Sequence, residues 1–178
     1  MGGSARDGAS ERVTAAARVD RARPADVEAI LAIEQRSFSD PWSESSFRDL
    51  LNHPRIYFAC ARERLPEEGS GEKVVGYVVA WFAAGEGEIA NLAVGPASRG
   101  RGIGAVLLDA ALAEGRRLGA TEMFLEVRST NVRARQLYES RGFAEVGRRR
   151  NYYRRPTEDA VILRREGIAE IAEAKREV

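Results

Sequence analysis

The segment Asn91-Leu92-Ala93-Val94-Gly95-Pro96-Ala97-Ser98-Arg99-Gly100-Arg101-Gly102-Ile103-Gly104 concentrates the residue types that hold an anion. It joins an apolar, strand-like run to a helix start. Glycine permits positive φ and close backbone approach, and the free N–H groups and dipole of a helix start favour negative charge. Arg99 and Arg101 add cations, so the run Arg99, Gly100, Arg101, Gly102, Ile103, Gly104 and Ala105 reads as a diphosphate cradle. A Walker loop fails, because Arg101-Gly102 stand where Lys-Ser/Thr is needed after the Gly95 and Gly100 spacing. A dinucleotide fingerprint fits Gly100, Gly102 and Ala105, with Glu126 as a ribose-binding acid. Against it, a long connection containing Pro96 separates Val94 from Gly102, and several strands precede the motif without intervening helices. A flexible helix entry remains the third reading.

Glu126 is a carboxylate in an otherwise apolar run, Met123-Phe124-Leu125-Glu126-Val127. The residues alone allow an outward strand position paired with an arginine, or a general base. Tyr138 likewise reads either as packing beside Leu137 or as a proton donor, and Asn131 is a natural helix N-cap. Other chemistries are excluded more firmly. His53 is the one histidine and Cys60 the one cysteine, so no zinc set exists and no metal is expected. A Ser-His-Asp apparatus would depend on His53, which sits in the helix-ending turn Asn52-His53-Pro54. Cys60 lies in an apolar strand-like run and reads as a buried, inert thiol.

These residues need a scaffold, and 178 residues suffice for one domain without disulfides or metal. Twenty-eight basic and 27 acidic residues leave a net charge of +1, so direct nucleic-acid binding is not required. Arginine supplies 26 of the basic residues, and Arg141 to Arg165 holds eight of them against three acids. That segment is a solvated hairpin or an attraction to acidic surfaces. Val74 to Gly85 is too short to cross a membrane, which takes about 20 apolar residues. The N-terminus lacks a signal-peptide core, so cytoplasm is the expectation. Residues 1–17 read as a disordered extension, 18–165 as the domain, and 166–178 as a tail or short helix.

Within the domain, strands are predicted at Val19–Arg23, Ile56–Arg62, Val74–Phe82, Glu88–Val94, Met123–Val127, Phe143–Arg150 and Ala160–Arg164. Helices are predicted at Asp26–Ser37, Ser43–Asn52, Gly102–Leu118 and Asn131–Ser140, the third burying Val106, Leu107, Ala110, Ala111 and Leu118. Leu65–Gly71 is a turn. The order predicts an α/β (α+β) domain with a mixed sheet.

Arg99-x-x-Gly102-x-Gly104, preceded by Leu92-Ala93-Val94-x-Pro96, resembles the acetyl-CoA motif of the GNAT acetyltransferase superfamily. Leu125-Glu126-Val127-Arg128-Ser129-Thr130-Asn131, Leu137-Tyr138-Glu139-x-x-Gly142-Phe143 and Arg149-Arg150-Asn151-Tyr152-Tyr153 with Glu158-Asp159-Ala160 sharpen it. With Ile33-Glu34 to Phe38 and Pro41-Trp42-Ser43, they resemble the ribosomal-protein alanine N-acetyltransferases, the RimI group. The resemblance implies a mostly antiparallel central sheet with helices on both faces and acetyl-CoA as co-substrate. It implies Glu126 as general base and Tyr138 as proton donor to the CoA sulfur. Leu92, Ala93 and Val94 would lie beside the thioester, Arg99 to Ala105 on the diphosphate and Asn131 on CoA, with Tyr152 as a wall for peptide. The implied partner is a protein N-terminus, foremost the alanine of a small-subunit ribosomal protein. Lysine or small-amine acetylation, or a non-catalytic acyl-CoA-binding module, are the alternatives.

Overall fold

A computed structural model describes residues 17–65 and 71–168. One interior strand shows why the chain makes a sheet covered on both sides. Along β3 (Glu72–Ala83) every residue from Val74 to Ala80 is buried. Val78, Ala80 and Phe82 join one apolar core, while Val74, Tyr77 and Val79 join a second on the opposite face. β-branched and aromatic side chains suit such a pleated, doubly buried strand.

Around it stand β1 (Arg18–Arg21), β2 (Ile56–Arg64), β4 (Glu86–Val94), β5 (Glu122–Arg128), β6 (Ala144–Arg154) and β7 (Thr157–Glu166). The spatial order is β1-β2-β3-β4-β5-β7-β6. Among the described residues, only β4 and β5 run parallel. A dinucleotide fold needs a mostly parallel sheet, so that reading of the glycines falls. Helices α1 (Val27–Ser37) and α2 (Glu44–Leu50) cover one face, and α3 (Ile103–Arg117) covers the other, with α4 (Val132–Glu139) after β5.

The predicted elements stand where expected, but one packing face differs. α3 buries Leu107, Leu108, Ala111, Leu112 and Gly115. Val106 and Leu118, predicted inward, are 39% and 48% exposed. At 100° per residue Val106 points almost opposite the centre of that stripe, and Leu118 is already the C-cap. Glu166 closes β7, and Ile168 is fully buried, its N–H on the Thr121 carbonyl. The predicted extension before Ala17, most of the Leu65–Gly71 turn and the tail after Ile168 lie outside the described residues.

Two irregularities open the sheet. The β4–β5 ladder pairs Glu86–Ile89 with Glu122–Leu125 and then stops, so Ala90–Val94 and Glu126–Arg128 part from each other. On its other side β4 carries a bulge, with Asn91 opposite Val79 and Ile89 opposite Ala80. A bulge bends and twists its strand, which turns the end of β4 away from β5.

Candidate active site

The parted strands frame two clefts. The first, about 600 Å³, is lined by Leu92, Ala93, Val94, Arg99, Gly100, Gly102, Ile103, Gly104, Ala105 and Asn131. Local backbone explains its floor. Gly100 and Gly102 hold φ +80° and +79°, a region that L side chains avoid, and Gly102 is the N-cap of α3. The first-turn N–H groups of α3 have no acceptor within the helix. A Cβ at Gly102 would meet no protein atom within 4 Å, whereas one at Gly104 would lie 3.3 Å from Leu137 Cδ2. Bare backbone donors, a helix N-terminus and a close helix–helix approach fit a diphosphate.

The arginines divide. Arg99 lines the cleft, but its Nε donates to the Val94 carbonyl at 3.0 Å and its Nη2 to Ser37 Oγ at 3.1 Å, tying β4 to α1. Arg101, alone of the residues expected here, is not in the lining; its guanidinium pairs with Glu63 at 2.8 Å.

The second cleft, about 540 Å³, includes Glu34, Trp42, Trp81, Asn91, Glu126, Tyr138, Tyr152 and Tyr153 in its walls. It shares Ser37, Leu92, Asn131, Ala134 and Leu137 with the first, so the two meet where β4 and β5 part. On β5 the side chains of Met123, Leu125 and Val127 are buried in the α3-side core. Alternation therefore turns Glu126 to the other face. Its Oε1 lies 2.8 Å from Arg149 Nε. The Tyr152 hydroxyl is held above the usual phenol value, first by its hydrogen bond to Glu126 and then by burial.

Tyr138 is buried and packs edge-to-face on Phe143, centroids 5.9 Å apart. Burial pushes its hydroxyl up to about 12, so it keeps its proton at neutral pH. Asn131 caps α4, its Oδ1 accepting from the Ala134 N–H at 3.1 Å. Tyr152 is exposed and lies edge-to-face on Tyr153, over whose ring the Arg128 guanidinium sits at 4.1 Å. Cys60 is fully buried and its thiol is pushed up to about 12 by burial, which leaves it protonated and poorly nucleophilic.

Two carboxylates escaped the sequence reading as site residues. Glu34 is buried on α1 and accepts from the Trp42 N–H at 2.8 Å, from Asn91 Nδ2 at 3.2 Å and from the Tyr77 hydroxyl. It thus ties α1 and the segment before α2 to the β4 bulge. Its signal was available: a carboxylate four residues after Ile30, on the apolar stripe of α1. Glu158 accepts from the Thr130 N–H at 2.6 Å, from Ser129 Oγ at 3.1 Å and from Arg128 at 3.1 Å. Those bonds, the Thr130 N–H foremost, hold its carboxyl down at about 2. No spacing in the sequence announces that long-range contact.

Residues 27–143 match the acetyltransferase (GNAT) family. The chain is 35% identical over 142 residues to the [ribosomal protein bS18]-alanine N-acetyltransferase of Escherichia coli strain K12, covering 78% of this chain and 89% of that protein. It is 36% identical over 158 residues to the N-alpha-acetyltransferase RimI of Mycobacterium tuberculosis, covering 86% and 91%. The crystal structure of the ribosomal-protein-S18-alanine N-acetyltransferase from Escherichia coli superposes with a TM-score of 0.73 at 31% identity, over 85% of this chain and 94% of that one.

Proposed function

The chain belongs to the acetyltransferase (GNAT) family, and from that premise we propose that it transfers the acetyl group of acetyl-CoA to the α-amine of a protein N-terminus. The leading substrate is the N-terminal alanine of a small-subunit ribosomal protein, on the names of its relatives. The observation that carries the reading is the meeting of the two clefts at the β4–β5 opening, with Glu126 and Tyr138 both on the wall of the second.

The first cleft fits acetyl-CoA. The backbone from Gly100 to Ala105 would receive the diphosphate, with Leu92 to Val94 beside the acyl end and Asn131 at the shared wall. Acetyl-CoA supplies an activated thioester carbonyl. The chain supplies the rest. The edge of β4 beyond Ile89 has no β5 partner, so backbone N–H groups there, Leu92 foremost, are available to the carbonyl oxygen as it gains charge. An α-amine has a reference pKa of about 8 and remains substantially protonated near neutrality. Glu126 accepts that proton, directly or through water, and Tyr138 delivers one to the departing sulfur. Tyr152 forms a wall for the peptide.

Transfer is direct, because Cys60 is buried and protonated and an acetyl-cysteine route needs a thiolate. Initial rates with both substrates varied test this: intersecting double-reciprocal lines are expected. Parallel lines would establish a covalent enzyme intermediate. Acetyl-CoA binding without acetylation of any N-terminal peptide would reduce the protein to a binding module.

A further inference from the structure

In the Arg149-Arg150-Asn151-Tyr152-Tyr153 segment, Arg149 is a cation beside the site that the transfer itself does not use. Regular alternation would put Arg149 and Tyr152 on opposite faces of β6. The β6–β7 ladder instead breaks between Arg149 and Tyr153, and Asn151 takes φ +51° with its N–H on Asp159 Oδ1 at 2.9 Å. The break brings both side chains to Glu126. Arg149 Nε stands 2.8 Å from its Oε1, and Tyr152 lines the same cleft as that carboxylate.

An α-ammonium within proton-transfer reach of Glu126 enters a shell that a guanidinium already occupies. Both cations are attracted to the carboxylate and repel one another. The two partners of the pair are not equally free to move. The Arg149 side chain is 58% exposed and that of Glu126 only 20%. Arg149 can exchange its partner for water at small cost, whereas Glu126 is fixed by its strand. The Tyr152 ring, 5.5 Å from the guanidinium carbon, offers Arg149 a second resting place through cation–π attraction. The other charged or titratable groups around the carboxylate are Glu88 on β4, Arg128 on β5 and Tyr153 on β6.

We propose that Arg149 is a displaceable counter-ion of Glu126, giving up its place on the carboxylate to the α-ammonium group of the incoming peptide. The proposal rests on the reading of Glu126 as the base. It makes the Arg149–Glu126 pair a competitor of every cationic N-terminus, and so a determinant of peptide KM.

The test uses the full chain and an Ala-initiated peptide with a free N-terminus. Arg149→Met and Arg149→Gln should each lower the peptide KM about two- to five-fold, the scale of an exposed ion pair, and leave the acetyl-CoA KM unchanged. Using both variants separates loss of charge from the apolar gain of methionine. By calorimetry, Arg149→Met should leave peptide affinity unchanged in the Glu126→Gln background, because the competition has lost its object. An unchanged or raised peptide KM in both variants overturns the proposal. Full activity of Glu126→Gln alone would overturn the base reading and the counter-ion with it. Impaired Glu126→Gln alongside Arg149 variants of unaltered KM removes only the counter-ion.

Discussion

In the proposed transfer, Glu126 and Tyr138 divide the proton traffic between a strand and a helix. The carboxylate projects from β5 on the face away from α3, and the phenol is seated in the core with its hydroxyl raised to about 12 by burial. A raised value keeps the donor protonated at neutral pH and up to about pH 11, so no loss of rate below that is assigned to Tyr138. Glu126→Gln preserves shape and removes the acceptor, and a general base contributes about 100- to 10,000-fold. Its kcat should fall on that scale, with partial recovery as rising pH deprotonates the amine in solution, its reference pKa being about 8. A kcat–pH profile of the variant checks this; wild-type rates across neutral pH would remove Glu126 as base. The two residues were legible as a pair only through the LEVR and LYE segments, since strand alternation alone did not settle which way Glu126 points. The arginine that the residues alone allowed beside it is Arg149, on β6. Glu34 stayed hidden because its function is to hold a tyrosine, an asparagine and a backbone N–H that lie far apart in sequence.

The α3 entry shows how much an element's end decides. Gly102→Val would force a β-branched residue to φ +79° and direct its side chain into open space beside the cleft. Gly119, after α3, has φ +78° and equally open surroundings, but does not line the cleft. Gly119→Val is therefore a matched control for backbone strain. Calorimetry should find acetyl-CoA affinity weakened in Gly102→Val, peptide affinity much less so, and both near wild type in Gly119→Val. Equal losses in the two variants would reduce Gly102 to a helix-entry residue. The β5–α4 connection depends on Glu158 in a pH-dependent way. Its folded value of about 2 lies below the ordinary glutamate value of about 4.3. A depressed carboxylate contributes stability that is fully present above the unfolded value and is lost as pH falls through the folded one. Glu158→Gln should lower Tm at pH 7 and flatten the wild-type loss of Tm between about pH 4 and pH 2; parallel Tm curves for the two proteins would contradict it. Element positions were readable because apolar periodicity and the glycines mark them. The inward face of α3 was misread at Val106, where helical geometry outvotes hydrophobicity, and at Leu118, where the helix ends.

At the scale of the molecule, one sheet carries two cores on opposite faces and lets the parallel pair β4–β5 come apart between them. The glycine-lined cleft and the cleft with the aromatic wall then meet at one opening. The antiparallel majority of the sheet and a distorted strand near Leu92 to Val94 were expected from the family resemblance, but the bulge's position was not readable from the residues, since nothing in Ile89-Ala90-Asn91 marks it. Four of the eight arginines between Arg141 and Arg165 stand in separate pairs: Arg141 with Asp109, Arg148 with Glu145, Arg149 with Glu126 and Arg164 with Glu122. An α-amine is also easier to deprotonate than a lysine, by about 2.4 units between reference values, which favours a terminus without specifying its sequence. The most direct measurement is mass spectrometry of three peptides incubated with the protein and acetyl-CoA: a free Ala-initiated ribosomal sequence, an N-terminally blocked copy, and a copy with its lysines replaced. Acetylation of the first and third at the α-amine, with none of the second, is the predicted result; product on the blocked copy, or its loss on lysine replacement alone, would contradict N-terminal transfer.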